Sequence, residues 1–384
     1  MTRHLPRDER DLAEILAGGD ALEIIAGGSK RRLGRAMEPL PLLDLSGLTG
    51  IVLYEPEELV LTAKAATPMV EIEEALAAHG QMLAFEPGDW AGIFATPRGR
   101  HTLGGVIACN IAGPRRLQRG AARDHFLGFR AVNGRGELFK SGGRVVKNVT
   151  GYDLSKLMAG SYGTLGVMTE LSIKVVPKPA LTATLALRGL DDARAILAMR
   201  DAVNSPHELS GAAHLPAAGL TLLRLEGTAP SVKARVEALR HELSSHGEVE
   251  ALGPALDLWR EIAEAAPLNV DKESVLWRIS LPAASAPGLV ARVARGAEVR
   301  YFLDWGGGLV WLAVRGPEDG GAGAIRSTLR GQGHATLIRG PDELRRRVPV
   351  FEPQSPALAA LSARVKTSFD PRHLLNPGRM YPEL

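Results

Sequence analysis

The sequence predicts an α+β protein of two domains, and three observations carry that expectation. The chain has 384 residues, more than one hydrophobic core usually serves. The tripeptide "PKP" at 177–179 breaks it between halves of different texture. From residue 275 onward the predicted elements follow the order β-α-β-β-α-β, the split-βαβ, ferredoxin-like pattern.

The elements follow in order. After an opening helix, 22–26 reads as a short apolar strand running into "GGSKRRLG", with further strands at 41–45, 49–54 and 59–63. "TPMVEIEEALAAHG" predicts a helix capped by Thr67, with Pro68 in its first turn and Gly80 at its end. "FRAVNGRGELFKSGG" predicts a hairpin turning at Asn133-Gly134. A helix over 153–159 and a strand over 167–176 complete the first half. Beyond it, stripes at Ile196/Met199/Val203, Val232/Val236/Leu239/Leu243 and Leu256/Trp259/Ile262 predict three helices. The β-α-β-β-α-β set places strands at 275–281, 299–304, 309–314 and 335–339, with helices near 289–294 and 324–329. A helix over 357–366 leads into the turn-rich tail "FDPRHLLNPGRM". No internal repeat is evident.

Composition excludes several classes. The single cysteine, Cys109, rules out an internal disulfide and a cysteine-held iron–sulfur cluster. Its small apolar neighbours suit a buried, inert thiol better than a reactive one. The start, "MTRHLPRDERDLAEIL", offers no apolar signal core, and no stretch reaches the ~18 apolar residues of a membrane span. The expectation is a cytoplasmic chain. The net charge of +3 does not imply nucleic acid, because 5% aromatics leave no stacking platform. Basic clusters at Lys30-Arg31-Arg32, Arg115-Arg116 and Arg345-Arg346-Arg347 are solvated faces or, for the first, an anion site. The ten histidines form no His-x-His or His-Glu-x-x-His arrangement, so no metal site is expected.

Three glycine-rich stretches could carry chemistry. Gly27-Gly28, at a strand end, is followed by Ser29, Lys30 and Arg31; it is either an ordinary turn or an anion-binding nest. In "RGRHTLGGVIACNIAGP", Thr102 can cap a helix whose first turn carries Gly104 and Gly105. Its unpaired amides would meet a flat or anionic ligand, unless the glycines serve close helix packing. The third stretch, Gly160, Gly163 and Gly166, stops a helix and starts a strand. That is the reverse of the dinucleotide-binding order, and the helix dipole has the wrong sign for phosphate. Neutral backbone of this kind suits a ribityl chain, an adenine edge or a flavin ring.

The set "IIAGGSKRRLG", "TLGGVIACNIAG", "GGRVVKNVTGYDLSKLMAGSYGTLGVMTELSIKVVPKP" and "DPRHLLNPGRM" resembles the FAD-binding domain of the vanillyl-alcohol oxidase/p-cresol methylhydroxylase family. Within it, the chain is similar to the smaller flavoprotein subunits of multi-subunit bacterial glycolate (2-hydroxy acid) oxidases, a likeness to which "DWGGGLVWL" at 304–312 adds. The resemblance implies a PCMH-type FAD-binding domain of two α+β subdomains over 1–179. It also implies a ferredoxin-like α+β cap over 180–351 and a tail, 352–384, that returns to the FAD domain. Carried across, Gly27, Gly28, Ser29, Lys30 and Arg31 hold the FAD pyrophosphate, and Thr102, Gly104, Gly105, Asn110 and Gly113 line the cofactor channel. Ser161, Tyr162, Gly163, Gly166 and Val167 contact the flavin and adenosine parts, and Asn376 returns toward the flavin. Relatives that attach FAD covalently often carry a histidine at the first loop; Ser29 and Lys30 stand there, which implies non-covalent FAD. Many relatives have an acidic residue where Tyr162 stands.

The substrate side is missing. Catalytic hydroxy-acid dehydrogenases of this family carry a Gly-Asp-Gly-Asn-Leu-His stretch and a Glu-His pair, whereas this chain offers only Asp304 and Trp305 near the expected place. No catalytic base is nominated. The resemblance therefore implies dependence on a larger FAD-binding subunit for substrate and on an iron–sulfur subunit for electron export. Any attachment to the inner membrane would be peripheral, through that complex. The competing readings are a stand-alone FAD-dependent alcohol or hydroxy-acid oxidoreductase, and a non-catalytic flavin-binding scaffold.

Overall fold

A computed structural model describes residues 2–144, 151–269 and 271–384; positions 145–150, within the third quoted motif, lie outside the described residues. The chain divides into two compact units. The first comprises Met1–Ile111, Ala121–Pro177 and Pro353–Leu384; the second comprises Ala112–Gly120 and Lys178–Glu352.

The first unit opens with β1 (Arg3–His4), α1 (Glu9–Ala17), β2 (Glu23–Ile25) and β3 (Leu42–Asp44), whose strands form a small parallel sheet in the order β1-β3-β2. The Asp8 carboxylate caps α1 by accepting from the amides of Arg10 and Asp11. Leu12 and Leu16 of α1 are fully buried against Leu22, Leu43, Val167 and Leu375. Each such leucine contributes roughly 1.5–3 kcal/mol by leaving water. A second, antiparallel sheet consists of β4 (Ile51–Glu55), β5 (Val60–Lys64), β7 (Phe126–Val132), β8 (Leu138–Gly142) and β9 (Val167–Lys174). Its order is β4-β5-β9-β7-β8. Between these strands run α2 (Met69–Ala78), α3 (Ala91–Phe94), α4 (Leu103–Ala108) and α6 (Leu154–Met158), and β6 (Gln81–Met82) pairs with β10 (Val176–Pro177). The last helix, α13 (Pro356–Phe369), precedes a tail in which Leu375 bridges in parallel to Leu22 beside β2.

Two local expectations are corrected here. Pro68, not Thr67, occupies the N-cap of α2 and makes no side-chain cap bond. The Thr67 hydroxyl instead donates to the Lys64 carbonyl at 2.7 Å and accepts from the Gly50 amide at 2.9 Å, tying the end of β5 to the loop before β4. The β7–β8 hairpin does not turn on two residues. Asn133 closes onto Glu137, and the left-handed position falls on Gly136 (φ +79°), not Gly134. The Asn133 carboxamide oxygen accepts from the amides of Arg135 and Glu137, which widens the turn. Gly134 is needed for another reason: a Cβ there would lie 2.1 Å from the Asp370 carboxylate.

The second unit holds one eight-stranded antiparallel sheet. Its first half is β11 (Leu181–Arg188), α7 (Asp192–Asn204), β12 (Gly211–Leu215), β13 (Leu220–Gly227), α8 (Ala229–Glu242) and β14 (Val249–Ala251). After α9 (Leu256–Ala263) the second half is β15 (Val275–Ser280), α10 (Ala286–Ala294), β16 (Glu298–Asp304), β17 (Leu309–Arg315), α11 (Ala322–Leu329) and β18 (His334–Arg339), with α12 (Asp342–Arg347) beyond it. Strand order is β14-β11-β13-β12-β16-β17-β15-β18. The ferredoxin-like order therefore occurs twice, and the halves meet edge to edge where His214 of β12 pairs with Leu303 of β16. The sequence gives the second copy but hides the first, because β12, "GAAHL", is a Gly/Ala-rich strand with every residue buried. Within the expected stripes, Ile196, Met199, Trp259 and Ile262 are buried, while Val203 and Leu256 face outward.

The short segment before Gly120, with α5 (Arg116–Arg119), belongs to this unit by its contacts. Arg115 makes a bidentate pair with Glu226 at 2.9 and 2.8 Å, and the Trp305 indole donates to the Gly113 carbonyl at 3.1 Å. Burial tends to raise the Glu226 carboxyl, but Arg115 and Arg224 outweigh it and bring its pKa to about 2.

Candidate functional site

The first unit contains a cavity of about 760 Å³, counted out to its open mouth, within the range of small-molecule and cofactor sites. Three of its walls are the glycine-rich stretches, and the fourth is the tail.

The first wall begins where β2 ends. Gly27 is required by close approach: a Cβ would sit 1.7 Å from the Arg100 carbonyl. The Arg100 side chain donates back to the Gly27 carbonyl at 2.7 Å. Gly28 is left-handed (φ +72°) and starts a tight turn in which the Leu33 amide reaches the Lys30 carbonyl at 3.0 Å. Arg31 is engaged by Glu23 through two bonds of 2.8 and 2.5 Å. The Lys30 ammonium donates to the Asp89 carbonyl at 3.1 Å and to Ser29 Oγ at 3.3 Å. Burial would raise the nearby Asp89 carboxyl, but His101, the Gly99 amide and Lys30 hold it below the usual range.

The second wall is α4. Thr102 is its N-cap, accepting from the Gly105 amide at 3.3 Å. The expectation of unpaired amides at this helix start fails. Leu103 N donates to the Thr67 carbonyl, Gly104 N to the Ala65 carbonyl and Val106 N to the Thr102 carbonyl. The end of β5 runs so close that a Cβ on Gly104 would lie 2.8 Å from Ala65 O, so Gly104 serves packing. Gly105 is different. A Cβ there would meet only Thr102 Oγ1, at 3.3 Å, and the residue lines the cavity. Cys109 lines it too, with burial pushing its thiol pKa up against the pull of Lys30 and Arg379.

The third wall follows α6. The Gly160 and Tyr162 amides dock on the Ile107 and Ala108 carbonyls of α4, so the loop is fixed to the second wall. Tyr162 and Gly163 are both left-handed, with φ of +54° and +72°. A Cβ on Gly163 would approach Asn376 Nδ2 to 2.8 Å. From the tail, Asn376 accepts from the Ile24 amide at 2.9 Å and donates to the Tyr162 carbonyl at 2.8 Å. It thereby joins the first and third walls.

Of the residues singled out by sequence, Gly27, Gly28, Ser29, Lys30, Arg31, Thr102, Gly104, Gly105, Tyr162, Gly163, Gly166, Val167 and Asn376 line the cavity together. Three do not. Asn110 directs its carboxamide oxygen to the Arg123 amide at 3.0 Å. Gly113 lies in the second unit, bonded to Trp305. Ser161 is buried, and its hydroxyl has no hydrogen-bond partner among the described residues. Sequence reasoning missed Arg100 and Arg379, which with Lys30 and Arg31 bring the lining cations to four among the described residues, while no carboxylate among those residues lines the cavity. The available signal for Arg379 was its place directly after "NPG".

Deep glycine cradles, left-handed backbone and an excess of fixed positive charge fit a large anionic ligand such as a dinucleotide. 4-Ethylphenol oxidase from Gulosibacter chungangensis superimposes with a TM-score of 0.74 at 14% identity, covering 99% of this chain and 89% of that one. Residues 4–142 match the family described as FAD binding domain, and FAD is the cofactor. More specifically, glycolate oxidase subunit GlcE of Escherichia coli is 38% identical over 363 residues, spanning 94% of this chain and 93% of that protein. The chain belongs to the family of that subunit. Glycolate oxidase subunit GlcD of Bacillus subtilis is 45% identical over 84 residues, 22% of this chain and 18% of that protein. Among the described residues, no helix is long and apolar enough to cross a membrane.

Proposed function

We propose that this chain is the FAD-binding subunit of a multi-subunit glycolate (2-hydroxy acid) oxidase or dehydrogenase, and that it depends on partners for substrate oxidation and electron export. The observation that carries the proposal is the pairing of similarity over 94% of the chain to a glycolate oxidase subunit with a cavity whose described lining residues include neither histidine nor carboxylate. Abstracting a proton from a hydroxy acid needs a positioned base, most often a histidine or a carboxylate, and the described lining residues include neither. A larger flavoprotein subunit would supply it, and an iron–sulfur subunit would carry electrons away. The expected compartment is the cytoplasm, with any membrane attachment made through the partners.

The isoalloxazine supplies the redox chemistry when FAD is bound. The chain's own contribution is to bind and orient. The turn from Gly27 to Arg31 would receive the pyrophosphate, Gly105 would leave room for the cofactor, and Tyr162, Gly163 and Asn376 would hold it with backbone and carboxamide. The first loop carries Ser29 and Lys30 and no histidine, which by the family resemblance implies non-covalent attachment. Gly104 supports this wall from behind through its packing on Ala65.

The test is an anaerobic flavin spectrum of the purified chain before and after glycolate, followed by acid precipitation. The proposal expects bound flavin that stays oxidised and is released into the acid supernatant. Bleaching by glycolate would make the isolated chain a catalyst in its own right, and flavin in the pellet would show a covalent bond.

A further inference from the structure

We infer that Arg379 supplies the fixed positive charge that receives the diphosphate of the bound dinucleotide. This rests on the reading of the cavity as an FAD site, and it adds a tail residue that the glycine motifs do not include. Arg379 lines the cavity and is only 7% exposed. Its Nη2 donates to the Lys30 carbonyl at 3.0 Å and to the Arg31 carbonyl at 3.2 Å, and its buried Nε has no hydrogen-bond partner among the described residues. The guanidinium is thus held by neutral acceptors, with no carboxylate among its bonds. A cation taken out of water on those terms is costly until an anion arrives.

The other lining cations are already committed. Arg31 is neutralised by its two bonds to Glu23. Lys30 bonds the Asp89 carbonyl and Ser29. Arg100 is exposed and bonded to the Gly27 carbonyl. Arg379, by contrast, clasps the far side of the same turn that begins at Gly27-Gly28. Its backbone is pinned there: the Arg35 amide donates to the Arg379 carbonyl at 2.8 Å, and a Cβ on left-handed Gly34 would lie 2.9 Å from that oxygen. The charge is therefore pre-placed, and no side-chain search accompanies binding. In oxidised FAD at neutral pH the diphosphate is the anionic part, which makes it the matching group. Planar guanidinium also suits bidentate contact with phosphate oxygens.

The test compares FAD with riboflavin, which has the same ring and no phosphate, as ligands of the full-length apo chain by flavin fluorescence quenching. For Arg379→Met, FAD affinity is expected to fall about 10- to 100-fold while riboflavin affinity stays within about threefold. Arg379→Lys should fall between wild type and Arg379→Met for FAD alone, and it decides the matter if Arg379→Met does not fold. An unchanged FAD affinity, or equal losses for both ligands, would overturn the inference and leave Arg379 as a brace for the turn. If wild type binds neither ligand, the FAD reading itself falls and this inference with it; wild-type binding with an unshifted FAD-to-riboflavin ratio in the variants sinks the inference alone.

Discussion

Asn376 and Tyr162, 214 positions apart, are joined by a 2.8 Å bond from the Asn376 carboxamide to the Tyr162 carbonyl. The same carboxamide accepts from Ile24 N at 2.9 Å. One side chain, 2% exposed, thus uses both its polar atoms to hold two walls of the cofactor cavity at a fixed spacing. Asn376 is also left-handed, with φ of +44°, a conformation that asparagine tolerates better than most residues.

Asn376→Asp keeps the shape and removes the donor. A carboxylate oxygen would then face the Tyr162 carbonyl, acceptor against acceptor, in a buried place. We expect a loss of about 2–4 kcal/mol in apo-chain stability, with FAD affinity falling at least tenfold. Urea unfolding of the apo chain and flavin fluorescence titration check the two effects. Full FAD affinity in the variant would show that this bond does not set the spacing of the walls.

Gly104 and Gly105 are adjacent and should fail differently. A Cβ on Gly104 strikes Ala65 O at 2.8 Å, while one on the cavity-lining Gly105 would meet only Thr102 Oγ1, at 3.3 Å. Gly104→Ala is expected to destabilise the apo chain by about 1–3 kcal/mol, despite alanine's better helix propensity. Gly105→Leu should leave apo stability within about 1 kcal/mol of wild type and abolish FAD binding by filling the space. Thermal unfolding with parallel FAD titration separates them. A folded Gly105→Leu chain with full flavin occupancy would remove α4 from the cofactor wall.

The contrast between those glycines marks what sequence could and could not reveal. Glycine-rich turns were legible because they need left-handed backbone or close approach, and Gly27, Gly28 and Gly163 are examples of one or the other. The order of the second ferredoxin-like half was legible from its apolar strands. The first half was not, because "GAAHL" lacks the β-branched and aromatic signal by which strands are recognised. The state of the α4 amides depends on the segment just after β5, 36 and 39 residues earlier, where Leu103 N reaches the Thr67 carbonyl and Gly104 N the Ala65 carbonyl. Arg379 was hidden for the same reason: its partners, Lys30 and Arg31, are 349 and 348 positions away.

The Arg115–Glu226 pair makes an acid-dependent contribution within the second unit. Glu226 is lowered from 4.5 to about 2 in the folded chain. Its stabilisation is fully present above the unfolded pKa and is lost as pH falls through the folded one, so the window runs from roughly 4.5 down to 2. A shift of this size corresponds to about 3 kcal/mol. Glu226→Gln should therefore lower stability at pH 7 and flatten the acid limb of the unfolding curve in that window. Urea midpoints of both chains, measured from neutral to acid pH, test it. Parallel curves with a constant offset would assign the acid sensitivity to other carboxyls.

Lys366 and Asp370 form a buried ion pair that anchors the tail. They are 1% and 0% exposed, 2.8 Å apart, one turn from each other on and just beyond α13. The Lys366 ammonium also donates to the Thr164 carbonyl at 2.8 Å and to the Leu375 carbonyl at 3.0 Å, using all three of its protons. Asp370 accepts from the Leu374 and Leu375 amides at 3.0 and 2.9 Å. Because both ions are fully bonded, removing one strands the other. Lys366→Met should cost about 3–5 kcal/mol, leaving a buried carboxylate unpaired. Adding Asp370→Asn removes that charge and should recover part of the loss, giving a coupling of about 1–3 kcal/mol in a double-mutant cycle. The cycle is measured by urea unfolding of the apo chain. Additive losses would mean that the two side chains act separately, Asp370 on the tail amides and Lys366 on the carbonyls, and that the charge pair itself contributes little.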